Sequence, residues 1–184
     1  PADMEEFKSL VRKSWFELYR RKRPNDSSGF EHVFLGEREG EKVTGLHNWI
    51  QMYIEEKQGN FNYKGKIRPR RRHAETDQFI TIQFEWMGQE KFISSSLIGT
   101  SPEFEFALLS MCFFNGVEKT RVDCGPHRIQ VTAYQMKQKH HTYIGTAFPE
   151  ACEADINDHH KAATKVQRSW RKKKGKRGGK GGKH

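Results

Sequence analysis

Two histidines, His32 and His47, and one lysine, Lys91, are the residues of this sequence best suited to acid–base chemistry on an anionic substrate. A histidine titrates near neutrality, so one of a pair can be neutral and accept a proton while the other is charged and donates one. A lysine beside them can hold positive charge where negative charge builds in a transition state. Their settings differ. His32 stands inside the apolar segment Phe30-Glu31-His32-Val33-Phe34-Leu35, His47 at the expected start of a helix, and Lys91 just past an expected hairpin turn. Taken singly, each has an ordinary alternative: a structural or exposed histidine in two cases, a solubilising hairpin lysine in the third.

Helices and strands must position these three. Over residues 4–23, Phe7, Leu10, Val11, Trp15 and Leu18 recur at helical spacing, and the pattern stops at Pro24-Asn25-Asp26-Ser27-Ser28-Gly29. After a charged turn at 36–42, Thr44 is the expected N-cap of a second helix, with Leu46, Ile50, Tyr53 and Ile54 on one face and its end before Gly59. Over 78–86, Ile80, Ile82, Phe84 and Trp86 alternate with Thr81, Gln83 and Glu85, which predicts a half-buried strand. Gly88 then turns the chain into 91–94 as a hairpin. Ser101, Pro102 and Glu103 supply an N-cap, a first-turn proline and an acid matched to the helix dipole, ahead of a third helix over 104–114. Residues 128–134 and 141–148 read as two further strands. Helices gathered early and strands late predict an α+β fold, N-terminal helices followed by antiparallel sheets.

The strings around the three residues are longer than single motifs. Ser28-Gly29-Phe30-Glu31-His32-Val33-Phe34-Leu35-Gly36-Glu37 and Gly45-Leu46-His47-Asn48-Trp49-Ile50 closely resemble the two histidine motifs of the EndoU family of poly(U)-specific endoribonucleases. Lys91, followed by Ile98-Gly99-Thr100-Ser101-Pro102-Glu103-Phe104-Glu105, resembles that family's lysine segment, and Ile144-Gly145-Thr146-Ala147-Phe148-Pro149 its final strand. The resemblance runs from about Phe7 to Pro149. It implies an endoribonuclease, activated by Mn2+ or Ca2+, that cuts single-stranded RNA at uridylates by attack of the 2′-hydroxyl and leaves 2′,3′-cyclic phosphate and 5′-hydroxyl ends. It also implies a catalytic set of His32, His47 and Lys91, with Lys91 as the cation for the phosphorane, and Thr146 and Phe148 as substrate contacts; His47 is read as general base and His32 as general acid, the reverse split staying open at the level of sequence. Glu31 and Glu37 match acids that orient a histidine or favour a metal. Phe148 stands where the family has tyrosine; phenylalanine stacks on a base but donates no hydrogen bond, so uridine preference is expected to be weaker or supplied elsewhere. The alternative on the same residues is a catalytically inactive RNA-binding module with a calmodulin-regulated tail.

The 184 residues suit one compact domain with an appendage, divided here into a catalytic domain over 1–152 and a basic tail over 153–184. The net charge of +10 belongs to that tail. Of 33 Lys and Arg, 11 fall from Lys161 onward with no acid among them, leaving 22 against 23 acids in the body. RNA contacts in the body must therefore rest on locally placed cations. Arg68-Pro69-Arg70-Arg71-Arg72-His73 offers such a place, with Arg70 and Arg71 as expected phosphate contacts. Cys112, Cys124 and Cys152 form no CxxC pair; Cys112, in an apolar run, reads as a small buried hydrophobe, and no zinc site is expected. His140-His141 and the stretch 155–160 read as exposed polar residues, not a metal cluster. No apolar run has the length of a membrane span and no signal-peptide core opens the chain, which predicts a soluble protein; a monomer is expected. Cytoplasm or nucleus is favoured, with secretion open if the chain is a fragment. In the tail, an expected helix over 160–176 with Val166, Gln167, Trp170, Arg171 and Lys176 resembles an IQ motif and implies a calmodulin ligand. The competing reading is a disordered basic arm with non-specific RNA affinity, as the Gly/Lys-rich end over 175–184 suggests.

Overall fold

A computed structural model describes residues 3–66, 78–124, 127–138 and 140–151, all within one unit, Pro1–Ala151. The arginine run with Arg70 and Arg71, and the basic tail with its IQ-like segment, lie outside the described residues. The chain opens with helix α1 (Met4–Phe16), a π-helical turn (Glu31–Leu35), a small hairpin of β1 (Glu37–Glu39) and β2 (Lys42–Thr44), and helix α2 (Trp49–Lys57). A sheet of β3 (Phe61–Lys66), β4 (Phe79–Trp86) and β5 (Gln89–Leu97) follows. Helix α3 (Pro102–Phe114) then leads to a second three-stranded sheet of β6 (Lys119–Cys124), β7 (His127–Gln138) and β8 (His141–Ala151). Every pairing is antiparallel, so the fold is α+β as expected.

Helix α1 is capped by Asp3, whose carboxylate accepts the Glu6 backbone N–H at 2.8 Å. It ends at Phe16 and not near residue 23, because the chain beyond it is captured by other partners. Tyr19 N–H donates to Ser27 O at 2.9 Å and Asp26 N–H to Tyr19 O at 3.2 Å. The Asp26 carboxylate accepts the backbone N–H groups of Arg21, Lys22 and Arg23, bonds that hold its pKa down at about 2. Of the apolar stripe expected on this helix, Trp15 is fully buried, donating Nε1–H to Ser110 Oγ at 2.8 Å, while Phe7, Leu10 and Leu18 are exposed.

The N-cap of α2 is Asn48, whose Oδ1 accepts from Gln51 N–H at 3.1 Å, and not Thr44, which closes β2. Gly45 and Leu46 both have positive φ, 64° and 56°, and reverse the chain between β2 and α2. Leu46 is therefore a core residue outside the helix, and the inward face of α2 is Met52 and Glu55 while Tyr53 and Ile54 are exposed. Two cores result. One packs Trp15 and Phe34 against α3, β7 and β8, with Cys112 buried inside it as expected; the other packs Leu46 and Met52 beneath Ile82, Phe84 and Trp86 of β4. Each fully buried side chain of this kind contributes about 1.5–3 kcal/mol.

The β4–β5 hairpin turns at Met87 and Gly88, both at positive φ (49° and 78°), the conformation that matches the twist of paired strands. Ser101 caps α3, its Oγ accepting from Phe104 N–H at 3.2 Å. Among the described residues no helix is long and apolar enough to cross a membrane.

Candidate active site

The two histidine segments are joined through their backbones. The π-helical turn closes with Gly36 N–H donating to Glu31 O at 2.8 Å, five residues back. That wide turn brings Glu37 alongside His32, with carboxylate Oε2 at 2.7 Å from Nδ1. The Gly45–His47 reversal then lies directly on the turn: Leu46 N–H donates to His32 O at 3.0 Å and His47 N–H to Val33 O at 2.8 Å. A Cβ at Gly45 would stand 1.7 Å from His32 O, so only glycine permits this approach.

Strand β5 fixes the same reversal from its other side. Lys91 Nζ donates to Gly45 O, Ser94 Oγ donates to Leu46 O at 3.1 Å, and Ser95 O accepts from His47 Nδ1 at 3.0 Å. In a regular strand Lys91 and Ser94, three apart, would point to opposite faces. Here the register steps from Phe84↔Lys91 to Ile82↔Ser94, a bulge that sets Phe92 and Ile93 together opposite Gln83. The extra residue lets Lys91 and Ser94 face one loop, and leaves Phe92 and Ile93 exposed.

Strand β8 closes the site. The Phe148 ring stacks on His47 with centroids 4.9 Å apart at 12°, and Ser95 Oγ donates to Pro149 O. Thr146 lies two residues before Phe148, on the same face of the strand.

The electrostatics follow from burial. His47 is held well below the ordinary histidine range by desolvation, reinforced by the charges of Lys91 and His32, so it is neutral at pH 7. Its Nδ1 faces a carbonyl oxygen and must carry the hydrogen, which leaves Nε2 as a free base. Burial also lowers His32, but there the hydrogen bond to Glu37 works in the opposite direction and favours the imidazolium. Burial pulls Lys91 down to about 7. For Glu37, burial alone would raise the pKa; hydrogen bonds from His32 and Ser27 and the charge of Arg21 outweigh it, and the carboxyl lies below its usual value.

Arg21 is a residue that the sequence did not single out. Its Nε lies 3.5 Å from Glu37 Oε2 and donates to Ser27 Oγ at 3.2 Å, while its Nη2 donates to Tyr19 Oη at 2.6 Å and Gly145 O at 2.5 Å. It thus ties the acid behind His32 to the residue preceding Thr146. Glu105 was also missed in this role. Buried, it accepts from Thr100 Oγ1 at 2.6 Å and Asn48 Nδ2 at 3.3 Å, fixing the cap next to His47. The signal available in the sequence was the hydroxyl run Ser94-Ser95-Ser96 in a strand that is otherwise half apolar. The structure brings His32, His47, Lys91, Glu37 and Phe148 together, with Thr146 on the same strand face. Glu31 differs: it is exposed and paired with Ser28, whose Oγ donates to Oε2 at 3.0 Å, and it orients neither histidine.

The described residues do not suit the Mn2+ or Ca2+ expected from the family resemblance. Glu37 Oε1 is buried with no hydrogen-bond partner among them, but Arg21 stands beside that carboxylate, and no group of three or more His, Cys, Asp or Glu could hold a metal ion. Calcium alone takes six to eight oxygen ligands.

A family described as Endoribonuclease XendoU matches residues 1–149. The chain is 40% identical over 156 residues to uridylate-specific endoribonuclease C of Danio rerio, covering 81% of this chain and 49% of that protein. It is 42% identical over 153 residues to poly(U)-specific endoribonuclease-A of Xenopus laevis, covering 78% and 51%. Among solved structures, that of XendoU, a splicing-independent snoRNA-processing endoribonuclease, is similar with a TM-score of 0.64 and 39% identity, covering 81% of this chain and 56% of that one. The chain spans about half the length of the curated relatives it matches.

Proposed function

Because the chain belongs to the XendoU endoribonuclease family, we propose that it is the catalytic part of an endoribonuclease that cuts single-stranded RNA at uridylates. The observation that carries the reading is the opposed state of the two histidines: a neutral His47 with Nε2 free, and a His32 whose Nδ1 is held by a carboxylate. In the proposed reaction His47 Nε2 takes the proton of the 2′-hydroxyl, the 2′-oxygen attacks phosphorus, and the bond to the 5′-oxygen breaks. His32 gives its proton to that leaving oxygen, leaving a 2′,3′-cyclic phosphate and a 5′-hydroxyl. Lys91 neutralises the charge on the phosphorane, and the arriving phosphate favours its protonated form. Proton transfers of this kind contribute about 10²–10⁴-fold each.

Thr146 and Phe148 are proposed to contact the base, and Arg70 and Arg71 the phosphates of the flanking strand. Activation by Mn2+ or Ca2+ enters only through the family resemblance, and no step is assigned to the ion. For the tail, calmodulin binding through Val166 to Lys176 and a basic arm for RNA are the two proposed roles, on a chain proposed to be a monomer; calcium-dependent binding of calmodulin to the full chain supports the first, and calcium-independent RNA affinity the second.

The test is cleavage of a single-uridine oligonucleotide and its cytidine counterpart in Mn2+, in Ca2+ and in chelator. Cutting 3′ of uridine with a cyclic phosphate end is expected. Absence of cutting under all three conditions would remove the reading.

A further inference from the structure

The sheet face that carries Phe148 holds one more residue placed to meet a base. In the β7–β8 register Thr132 lies opposite Phe148, Tyr134 opposite Thr146 and Gln130 opposite Glu150, while Ala133 and Ala147 point to the other face and are buried. The stacking of Phe148 on His47 fixes which face looks toward the histidines. On that face Thr132 and Gln130 are spent on Glu150, donating to Oε2 at 2.5 and 3.0 Å. Tyr134 and Thr146 differ: neither hydroxyl has a hydrogen-bond partner among the described residues, and Tyr134 is 43% exposed.

Directly opposed side chains on an antiparallel pair have Cβ atoms about 4.5–5.5 Å apart, and a diagonal neighbour is still within reach of an aromatic ring. Tyr134 is therefore beside Thr146 and diagonal to Phe148. The register steps immediately after Tyr134, where Gly145 is the extra residue on β8 and its carbonyl is held by Arg21. Strand β6 begins at Lys119, opposite Thr132, and the residue before it reaches only Ala133, whose N–H donates to Glu118 O at 2.8 Å, so among the described residues no strand pairs with Tyr134 on that edge.

Resting on the RNA-cleaving reading above, we propose that Tyr134 is a specificity-determining residue, its phenol hydroxyl donating to the O4 carbonyl oxygen of uracil beside Thr146. It supplies the donor that Phe148 lacks. A phenol donates more readily than it accepts, so cytosine, with an amino group in place of the O4 carbonyl, satisfies it less well.

The test compares wild type, Tyr134→Phe and Tyr134→Ala on matched single-uridine and single-cytidine oligonucleotides, with kcat and KM resolved. Tyr134→Phe is expected to lower the uridine-to-cytidine ratio of kcat/KM about fivefold, mostly through KM, as loss of one hydrogen bond predicts. Tyr134→Ala should raise KM further on both substrates, because the ring is lost as well. Adding Phe148→Tyr to Tyr134→Phe should return part of the ratio. A ratio unchanged in Tyr134→Phe, with wild-type cleavage intact, overturns the assignment and leaves the nuclease reading standing; absence of wild-type cleavage overturns that reading and this one with it.

Discussion

Replacing Lys91 with methionine should make the protein more stable while abolishing its proposed activity. Lys91 is half-buried on β5, and desolvation there pulls its pKa from 10.5 to about 7. That gap corresponds to about 4–5 kcal/mol of native-state cost for keeping the charge. Between pH 7 and 10.5 the unfolded chain holds a proton that the native one does not, so this cost is full below pH 7 and fades as the pH rises. Methionine, similar in length and apolar, removes it but leaves Gly45 O without its donor, a loss of about 1 kcal/mol. The expected net gain is about 3 kcal/mol at pH 7 and about 1 kcal/mol at pH 9. Urea unfolding of both proteins at pH 7 and 9 measures it, above the range where His32 and His47, which the Lys91 charge also shifts, titrate. A gain that does not shrink with pH, or a net loss at pH 7, would refute the burial argument. RNA cleavage measured on the same samples should be absent, the trade expected where a strained charge is kept for function.

Glu37→Gln should lower the pKa of His32, because the carboxylate is what favours its charged form. With His32 as the acid, the alkaline limb of the kcat/KM profile moves to lower pH; movement of the acidic limb instead would reverse the assignment of acid and base. Gly45→Ala drives a Cβ into His32 O at a positive φ and should cost about 3 kcal/mol or more, read as a fall in melting midpoint. Arg21→Met should reduce kcat about tenfold or more by freeing both Glu37 and Gly145 O, and Arg21→Lys should not restore it, since one ammonium lacks the guanidinium fork; full activity in either variant would remove Arg21 from the account.

Legibility in the sequence followed how local each feature is. Ser101 with Pro102, and the alternation from Ile80 to Trp86, are decided by neighbouring residues, and the α3 cap and strand β4 form where those patterns predict. The end of α1 depends on Asp26 reaching back to three backbone N–H groups, and the α2 cap on a reversal at Gly45 and Leu46 that no helical period announces. Strands β3 and β6 escape detection because they are edge strands: β3 buries only Phe61, and β6 buries no side chain fully. The strings around His32, His47 and Lys91 were visible, but what joins them was not. The bulge at Phe92 and Ile93 exists only in the pairing of β5 with β4, and Arg21 lies in a stretch whose period suggested helix. Glu31 and Glu37 were equivalent in sequence; the five-residue closure of the π-helical turn separates them, directing Glu37 to His32 and leaving Glu31 with Ser28.

The proposed mechanism turns on a neutral His47 acting as base on the 2′-hydroxyl. Its most direct test is single-turnover cleavage of an RNA with one uridine, beside the same strand carrying a 2′-deoxyuridine at that position, by wild type and His47→Ala. Wild type is expected to leave a cyclic phosphate end on the ribose substrate and no cut at the deoxy position, and His47→Ala to cut at a rate at least about 10²-fold lower. Cleavage of the deoxy strand, or equal rates for wild type and His47→Ala, would contradict it.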